Sequence, residues 1–219
     1  MPFLRLTVKL FPFGFPNIIR VAQLMERFLS KKLKLKWAIT RAAALKTVRG
    51  ASFMSYPGWI NPDIDTLDLP NAASWQARFG RRRAQRLRAE RVGEPLTDTN
   101  TCQANSNCFT FPQTGGQHRL AVPDGFHPDP TYRKRVRPGG AGAGANDHKI
   151  LYACKTMARR LEQAGLPVTR LEYSYANGPF PFAEWSKTDG SIARSERYDL
   201  RSQVVSLAYT SLIVDPVKP

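Results

Sequence analysis

The chain has 219 residues, enough for one ordinary domain with extensions. Its 33 lysine and arginine residues outnumber 17 aspartate and glutamate residues, which gives a formal charge of +16 at pH 7. An excess of this size predicts a polyanionic partner, most often nucleic acid and less often an anionic membrane, and argues against an ordinary neutral enzyme. The three cysteines, Cys102, Cys108 and Cys154, are too few for a disulfide framework and favour a reducing compartment.

Two uncharged runs were candidates for a membrane span, and neither fits one. Residues 99–118 are rich in Asn, Gln, Thr and Gly, and the apolar run 202–214 is shorter than a bilayer requires. Arg5 and Lys9 interrupt any early apolar segment, so no secretory signal is readable. We therefore expect no transmembrane segment.

The N-terminal segment, residues 1–62, carries most of the charge excess, with Glu26 as its one acid. Alternating apolar residues over 4–10 predict a half-buried strand, and an apolar stripe at helical spacing predicts a helix from Asn17. A second helix-compatible stretch runs to about Val48. Because acids are missing here, the cations are predicted to contact phosphates, with a solvated face as the alternative. These candidate residues are Lys31, Lys32, Lys34, Lys36 and Arg41.

The central segment, residues 63–146, is predicted to be an extended basic arm. The run 78–91 is the densest basic stretch, and a helix would align some of its arginines at four-residue spacing, where they repel unless phosphate screens them. Little regular structure is readable over 93–146, and the Gly/Ala tract 138–145 resembles a flexible linker. The candidate RNA-binding residues are Arg78, Arg81, Arg82, Arg83, Arg86, Arg88, Arg133, Lys134, Arg135 and Arg137.

Motifs that carry catalysis are weak or missing. Cys102, Cys108, His118 and His127 have a spacing that matches no common zinc pattern, so they are expected to be unconnected loop residues. The glycine tract has no apolar strand before it and no Lys-Ser/Thr after it, as a phosphate-binding loop needs. His148 is expected to be a surface residue and not a base. The sequence thus predicts no enzyme, no metal, no cofactor and no small-molecule substrate.

The C-terminal segment, residues 147–219, is the most foldable part. A helix is predicted from Asn146 or Asp147 to Gly165, followed by a strand over 168–175, a turn over 178–182, and one long or two short strands over 198–214. The buried stripe of that helix is expected to hold Ile150, Cys154, Met157, Ala158, Leu161 and Ala164. The predicted fold class is α+β, a small helix-on-sheet C-terminal domain with long basic, Pro/Gly-rich N-terminal and central extensions.

Three short motifs in this segment resemble the small-subunit ribosomal protein ten family. They are a helix start at 147–151, a proline loop at 178–182 and an aromatic-led strand at 198–203, in the family's order. The match covers about a third of the chain and lacks the family's first strand before the helix. The resemblance implies a structural protein that inserts its proline loop into ribosomal RNA. The contacts it implies are Lys149, Gly178, Pro179, Pro181, Arg201 and Ser202.

The leading functional hypothesis is therefore a structural constituent of a ribosome, in the mitochondrial small subunit, bound to ribosomal RNA and to neighbouring ribosomal proteins. The expected location is the mitochondrial matrix, because an acid-poor basic N-terminus resembles a mitochondrial targeting segment. The alternatives are a non-catalytic accessory subunit of a mitochondrial respiratory-chain complex and a capsid protein that holds a genome with its basic N-terminus.

Overall fold

The computed structural model describes residues 16–49, 56–62, 67–90, 92–205, 207 and 209–219, except for the side chains of 16–23, 27–28 and 203. Within this part, helices alternate with strands over most of the chain. The helices are α1 (Pro16–Arg41), α2 (Ala72–Phe79), α3 (Asp98–Thr110), α4 (Pro130–Val136), α5 (Cys154–Gln163) and α6 (Leu200–Val204). The strands are β1 (Lys46–Arg49), β2 (Ala84–Glu90), β3 (Pro112–Pro123), β4 (Val168–Glu172) and β5 (Ser211–Pro216), and short 3₁₀ turns lie at Ala145–Asp147 and Lys187–Asp189.

One sheet joins the strands in the order β1-β2-β3-β5-β4. The first three strands are parallel, with Leu87 of β2 opposite Thr47 of β1 and His118 of β3. Strand β5 runs antiparallel to both β3 and β4, so β4 points in the same direction as the first three. The segments 1–62, 63–146 and 147–219 all contribute strands to this sheet, which makes the class mixed α/β.

Both faces of the sheet are covered. On one face, Leu87, Val122 and Leu212 pack against side chains of α1, α2, α3 and α5. On the other face, Ala121 and Ile213 pack against the irregular segment between β4 and β5, which contributes Trp185 and Ile192. Successive residues of β3 and β5 thus alternate between two cores, as the pleat of a strand requires.

Local sequence explains where several helices begin and end. Asn71 caps α2 by accepting hydrogen bonds from the amides of Ala73 and Ser74, and Thr97 caps α3 through the amide of Asn100. Asp129 caps α4, whose first residue is a proline with no amide hydrogen to satisfy. Gly165 has φ of 83°, which ends α5 and is accessible to glycine without strain. Among the described residues, no helix combines the length and apolar character that crossing a bilayer demands.

The N-terminal predictions have mixed outcomes. The helix from Asn17 is confirmed, but it runs unbroken to Arg41, and the strand predicted over 4–10 lies outside the described residues. The second helix-compatible stretch is wrong at its end, because Lys46–Arg49 is a strand. Thr47 and Val48 are β-branched and buried, which favours pairing with β2 over helix formation.

The arginine run, which is predicted to belong to an extended arm, is built into the fold instead. Helix α2 ends at Phe79, and Arg86 and Arg88 lie in β2. In this strand Arg86 and Arg88 share one face and Leu87 and Ala89 share the other, so long cations alternate with buried apolar side chains. The four-residue spacing considered for Arg78, Arg82 and Arg86 does not place them on one helix, because only Arg78 belongs to α2.

Residues 93–146 were predicted to lack regular structure, and that prediction is wrong. They contain α3, the longest strand β3, and α4. The Gly/Ala tract is folded against α4: the amides of Gly140 and Gly142 donate to the carbonyls of Arg137 and Arg135. A Cβ on Gly140 would lie 2.5 Å from the Arg135 carbonyl oxygen, so glycine is needed there for close approach and not for flexibility.

The C-terminal helix is confirmed only in part. It begins at Cys154 and buries Cys154, Met157, Ala158 and Leu161, whereas Ile150 and Ala164 lie outside it. The strand predicted over 168–175 is confirmed over Val168–Glu172. Residues 198–214 are not one strand, because Asp199 caps the short helix α6 before β5 begins.

These elements contradict the ribosomal resemblance. The motif at 147–151 does not start a helix, and the motif at 198–203 runs into α6 instead of forming a strand. The prediction of a small helix-on-sheet C-terminal domain with extensions is also wrong, because β1, β2 and β3 belong to the same sheet as β4 and β5.

Candidate functional site

The carboxyl ends of β1, β2, β3 and β4 lie at one edge of the sheet, because these strands share a direction. We call this edge the carboxyl edge. In open α/β sheets, ligands bind in the crevice outside the carboxyl ends of the parallel strands. The side chains that follow β2, β3 and β4 therefore form the candidate functional site.

Asp124 follows β3 directly and is fully buried. Its Oδ1 accepts a hydrogen bond from the Phe126 amide at 2.9 Å, and its Oδ2 accepts one from the Ser174 amide at 2.6 Å. Burial raises the pKa of the Asp124 carboxyl, and these amide hydrogen bonds partly oppose the shift. Asp124 thus ties the end of β3 to the chain that leaves β4.

His127 and Tyr132 form a stacked pair beside Asp124, with ring centroids 4.0 Å apart. The Nδ1 of His127 accepts from the Asp129 amide, so the ring proton lies on Nε2, which donates to the Leu207 carbonyl at 2.8 Å. Burial lowers the pKa of His127 and raises that of the Tyr132 hydroxyl. Both nitrogens of the imidazole are occupied, so this ring holds the loop in place and does not present a free base.

Tyr152 crosses the ends of β2 and β3. It pairs with Asp124, and its carbonyl accepts from the Gly125 amide at 2.7 Å. A Cβ on Gly93, in the loop after β2, would lie 3.6 Å from the Tyr152 ring, and a Cβ on Gly125 would lie 2.9 Å from the Tyr152 carbonyl oxygen. Two loops thus approach Tyr152 closely, and burial raises the pKa of its hydroxyl.

The end of β4 contributes a second buried carboxyl group, Glu172. Its Oε1 accepts from the Trp185 indole at 2.9 Å and its Oε2 from the Glu196 amide at 2.7 Å, while burial raises its pKa. Glu196 in turn accepts a hydrogen bond from the amide of Leu207. Leu207 has φ of 54°, a left-handed conformation that costs energy for a leucine and that functional sites often retain.

Tyr173 and Tyr175 are accessible members of the site. Their hydroxyls lie 3.1 Å apart, and Tyr175 is 52% exposed. Tyr173 is less exposed and meets the Tyr175 ring edge to face at 5.2 Å. These two rings follow β4, and with the exposed Phe126 after β3 they are described parts of the carboxyl edge that a ligand can touch.

A buried cluster around one cation, Arg49, lies at the end of β1. The guanidinium of Arg49 donates to Cys108 Sγ at 2.7 Å and contacts His118 Nε2, and all three side chains are buried. Burial and the Arg49 charge lower the pKa of His118 well below its usual value. Burial raises the pKa of the Cys108 thiol, which Arg49 partly offsets.

A partly open cavity of about 30 Å³ is lined by Arg49, Gly93, Asn105 and Tyr152. It has room for water, whereas drug-sized ligands occupy pockets of roughly 300–1,000 Å³. A larger ligand must therefore lie outside this cavity, over the carboxyl edge. Residues 50–55, which follow β1 in the sequence, lie outside the described residues.

The cations predicted to bind RNA lie on several elements of the fold, and some of them are paired or buried. Arg88 is 1% exposed, pairs with Glu90 at 2.7 Å and stacks on Tyr56, so it cannot reach a phosphate. Arg86 pairs with Asp189, and Arg201 pairs with Asp199. The other predicted residues lie on separate elements. Those on α1 are Lys31, Lys32, Lys34, Lys36 and Arg41; those around α2 are Arg78, Arg81, Arg82 and Arg83; those in and after α4 are Arg133, Lys134, Arg135 and Arg137; and Lys149 precedes α5.

Of the Cys and His residues considered for zinc, only Cys108 and His118 come close together, and Arg49 lies between them. Cys102 is exposed, Cys108 and His118 contact Arg49, and His127 stacks on Tyr132. Among the residues that the structure describes, no three His, Cys, Asp or Glu side chains are placed to hold a metal ion.

Sequence reasoning missed the acidic residue that ends β3. Asp124 and Gly125 follow the apolar run Leu120–Val122 after one proline, and a carboxylate followed by glycine after a buried strand was a readable signal. It was overlooked because residues 93–146 were interpreted as an extended arm.

Similar proteins were sought by sequence and by structure. A scan against protein-family models and a search of curated protein sequences find no match. Similar solved structures include a SAM-dependent methyltransferase from Archaeoglobus fulgidus, at 12% identity and a TM-score of 0.43, covering 87% of this chain and 93% of that one. They also include magnesium protoporphyrin IX methyltransferase from Synechocystis PCC 6803 with bound SAH, at 9% identity and a TM-score of 0.42, covering 96% and 92%. A glycopeptide N-methyltransferase complexed with SAH matches at 10% identity and a TM-score of 0.42, covering 86% and 87%.

The elements of the fold correct the ribosomal prediction. The motifs that suggested a ribosomal protein form neither the helix start nor the strand of that family, so a ribosomal constituent with a ribosomal-RNA partner is wrong. Neither a respiratory accessory subunit nor a chain without enzymatic activity is supported. At this level of identity a neighbour's activity does not transfer, so the functional inference has to rest on the geometry of the chain itself.

Proposed function

We propose that the chain is a methyltransferase that binds S-adenosylmethionine at the carboxyl edge of its sheet and methylates a small molecule. The observation that carries the proposal is the convergence of β2, β3 and β4 on one edge lined by Asp124 and by four tyrosines. This is where open α/β sheets bind nucleotide-like ligands. The tyrosines are Tyr132, Tyr152, Tyr173 and Tyr175.

The chemistry of these side chains suits a cationic ligand. Aromatic faces attract cations within about 6 Å of the ring centroid, and the attraction increases where water is excluded. A sulfonium is such a cation, and Tyr173 and Tyr175 are accessible to it beside the buried carboxyl groups of Asp124 and Glu172. The residues present therefore fit the charged end of S-adenosylmethionine.

When bound, S-adenosylmethionine supplies an electrophilic methyl group. The chain's own contribution is to position and shield the reactants. Asp124 and Glu172 fix the loops that follow β3 and β4 through their amide hydrogen bonds. Holding two reactants in contact distance and excluding water accelerates a displacement strongly without a general base.

The first test compares the binding of S-adenosylmethionine with that of S-adenosylhomocysteine, which lacks the positive charge. Calorimetry on the wild type is expected to show binding of both. Tyr175→Ala is expected to weaken the binding of S-adenosylmethionine about three- to tenfold more than the binding of S-adenosylhomocysteine, because only the sulfonium of the former loses a cation–π contact. The matched control is Phe109→Ala, which removes a similarly exposed ring at the opposite edge of the sheet.

Methyl transfer is then measured with radiolabelled S-adenosylmethionine and a panel of small oxygen, nitrogen and sulfur nucleophiles. Turnover by the wild type and by Phe109→Ala, with a lower rate for Tyr175→Ala, is the expected result. Failure of the wild type to bind either ligand would overturn the proposal. So would equal losses for both ligands in Tyr175→Ala.

A further inference from the structure

Helix α1 carries a row of exposed apolar side chains that no described part of the chain covers. Met25, Leu29, Leu33 and Trp37 recur at every fourth position and are 59%, 55%, 67% and 60% exposed. Residues four apart lie on one face of a helix, so these four form a continuous line. We call this line the apolar row.

The apolar row faces away from the core. Ile39 is buried on the other side of α1, and Leu35 and Ala42 pack beside it against the main core. The helix thus has two apolar faces: one packs against the core, and none of the described residues covers the other. Single exposed apolar residues are ordinary, but a contiguous exposed row marks an interaction surface.

The charges around the apolar row define what it can bind. Lys34 and Lys36 are exposed on its two flanks, and Arg41 occupies the next position in the row, stacked 4.6 Å over the Trp37 ring. Lys31 and Lys32 add to this excess, and Glu26 is the one acidic residue of α1. An apolar row between cations is complementary to a surface that is apolar inside and anionic at its boundary.

We propose that α1 binds an anionic lipid surface, lying in its plane with the apolar row inserted among the acyl chains and the lysines at the headgroups. Helices with Trp and Leu on one face and Lys on its flanks bind membranes in this way. A second copy of the chain is a poorer occupant, because it would bring like charges together. Nucleic acid would satisfy the cations and leave the apolar row exposed. This proposal does not depend on methyl transfer.

The full-length protein is tested by flotation with vesicles of phosphatidylcholine containing about 30 mol% phosphatidylserine, and with vesicles of phosphatidylcholine alone. Binding to the anionic vesicles is expected, with a blue shift of tryptophan fluorescence that Trp37→Phe abolishes. Trp75 and Trp185 are 0% and 8% exposed and Trp59 is partly exposed, so loss of the shift in Trp37→Phe is what assigns it to Trp37.

Leu33→Glu is expected to weaken binding to the anionic vesicles at least about tenfold, because it places a carboxylate in the inserted row. The matched control is Val204→Glu, which adds the same charge at an 85% exposed position of α6 and is expected to bind like the wild type. Both sites are exposed, and far-ultraviolet circular dichroism checks that both variants remain folded.

Charge is tested with the triple variant Lys31→Gln, Lys34→Gln and Lys36→Gln, which is expected to bind less tightly and to lose much of the salt dependence. Three outcomes would overturn the proposal. They are no flotation with anionic vesicles, equal binding by Leu33→Glu and the wild type, and preferential binding of RNA that Leu33→Glu leaves unchanged.

Discussion

The buried ion pair between Arg119 of β3 and Asp215 of β5 is the contact whose removal should destabilise the fold most clearly. Arg119 is 1% exposed, and its Nε and Nη2 donate to the two oxygens of Asp215 at 2.8 and 2.6 Å. Its Nη1 donates to the carbonyls of Ser186 and Gly190, and its guanidinium lies 4.5 Å from the Trp185 ring centroid. One side chain thus joins two strands to the segment that covers the second core.

Arg119→Met keeps much of the volume and leaves Asp215 buried with Gln117 as its remaining donor. Breaking a buried pair from one side costs about 3–5 kcal/mol, since the other charge stays desolvated. We expect a loss of this size in the free energy of unfolding. The measurement is urea denaturation followed by circular dichroism. The dependence of the unfolding free energy on urea concentration is compared between the variant and the wild type, to confirm that both unfold in two states.

Two variants control this prediction. Arg86→Met, in the neighbouring strand, removes a half-exposed pair with Asp189 at 3.5 Å and should cost about 1 kcal/mol or less. The double variant Arg119→Met with Asp215→Leu should recover part of the loss, because no lone charge remains buried. A loss below about 1 kcal/mol for Arg119→Met would show that this pair does not hold the second core in place.

Three further predictions concern thiols, acid and a glycine. At about pH 8, one thiol of the native protein should react rapidly with Ellman's reagent, because Cys108 is buried and the pKa of Cys154 is raised to about 11. The variant Cys102→Ser should lose this rapid reaction. Rapid reaction of all three thiols would contradict the packing. Because the pKa of His118 is lowered, its contribution to stability is present above about pH 6.5 and is lost as the pH falls below that value. In urea titrations at descending pH, the unfolding free energy of the wild type should therefore fall faster than that of His118→Gln, by up to about 1.4 kcal/mol per pH unit. Equal pH slopes for the two proteins would refute this. Gly125→Ala should lower the free energy of unfolding by about 1–3 kcal/mol in urea denaturation, because the added Cβ would lie 2.9 Å from the Tyr152 carbonyl oxygen. Gly58→Ala is the control: nothing lies within 4 Å of its Cβ, so it measures the cost of a positive φ alone.

Local patterns predicted the parts of the fold that depend on local sequence. The long amphipathic helix α1, most of the buried stripe of α5 and the strand β4 were readable from periodicity. The arginine-rich strand β2 could not be predicted from periodicity. Its arginines are neutralised by Glu90 and Asp189, and Arg88 meets Glu90 and Tyr56 only after folding. A pattern of basic residues alone does not distinguish a surface for phosphate from a strand whose charges are paired internally.

The candidate site was hidden for a related reason. Asp124 and Tyr152 are 28 positions apart in the printed sequence, and the Ser174 amide that binds Asp124 lies further still along the chain. The parallel direction of β2, β3 and β4 brings them together, and parallel pairing has no short-range turn signal. The mitochondrial location stays a prediction, since nothing in the fold bears on it.

The most direct test of the proposed function is hydrogen–deuterium exchange with and without saturating S-adenosylmethionine. Ligand at the carboxyl edge should protect the amides that follow β2, β3 and β4, in residues 92–94, 124–127 and 173–175, and leave the amino end of β3 unchanged. Protection confined to residues 112–116, or no change anywhere in the chain, would contradict the assignment of the site to this edge.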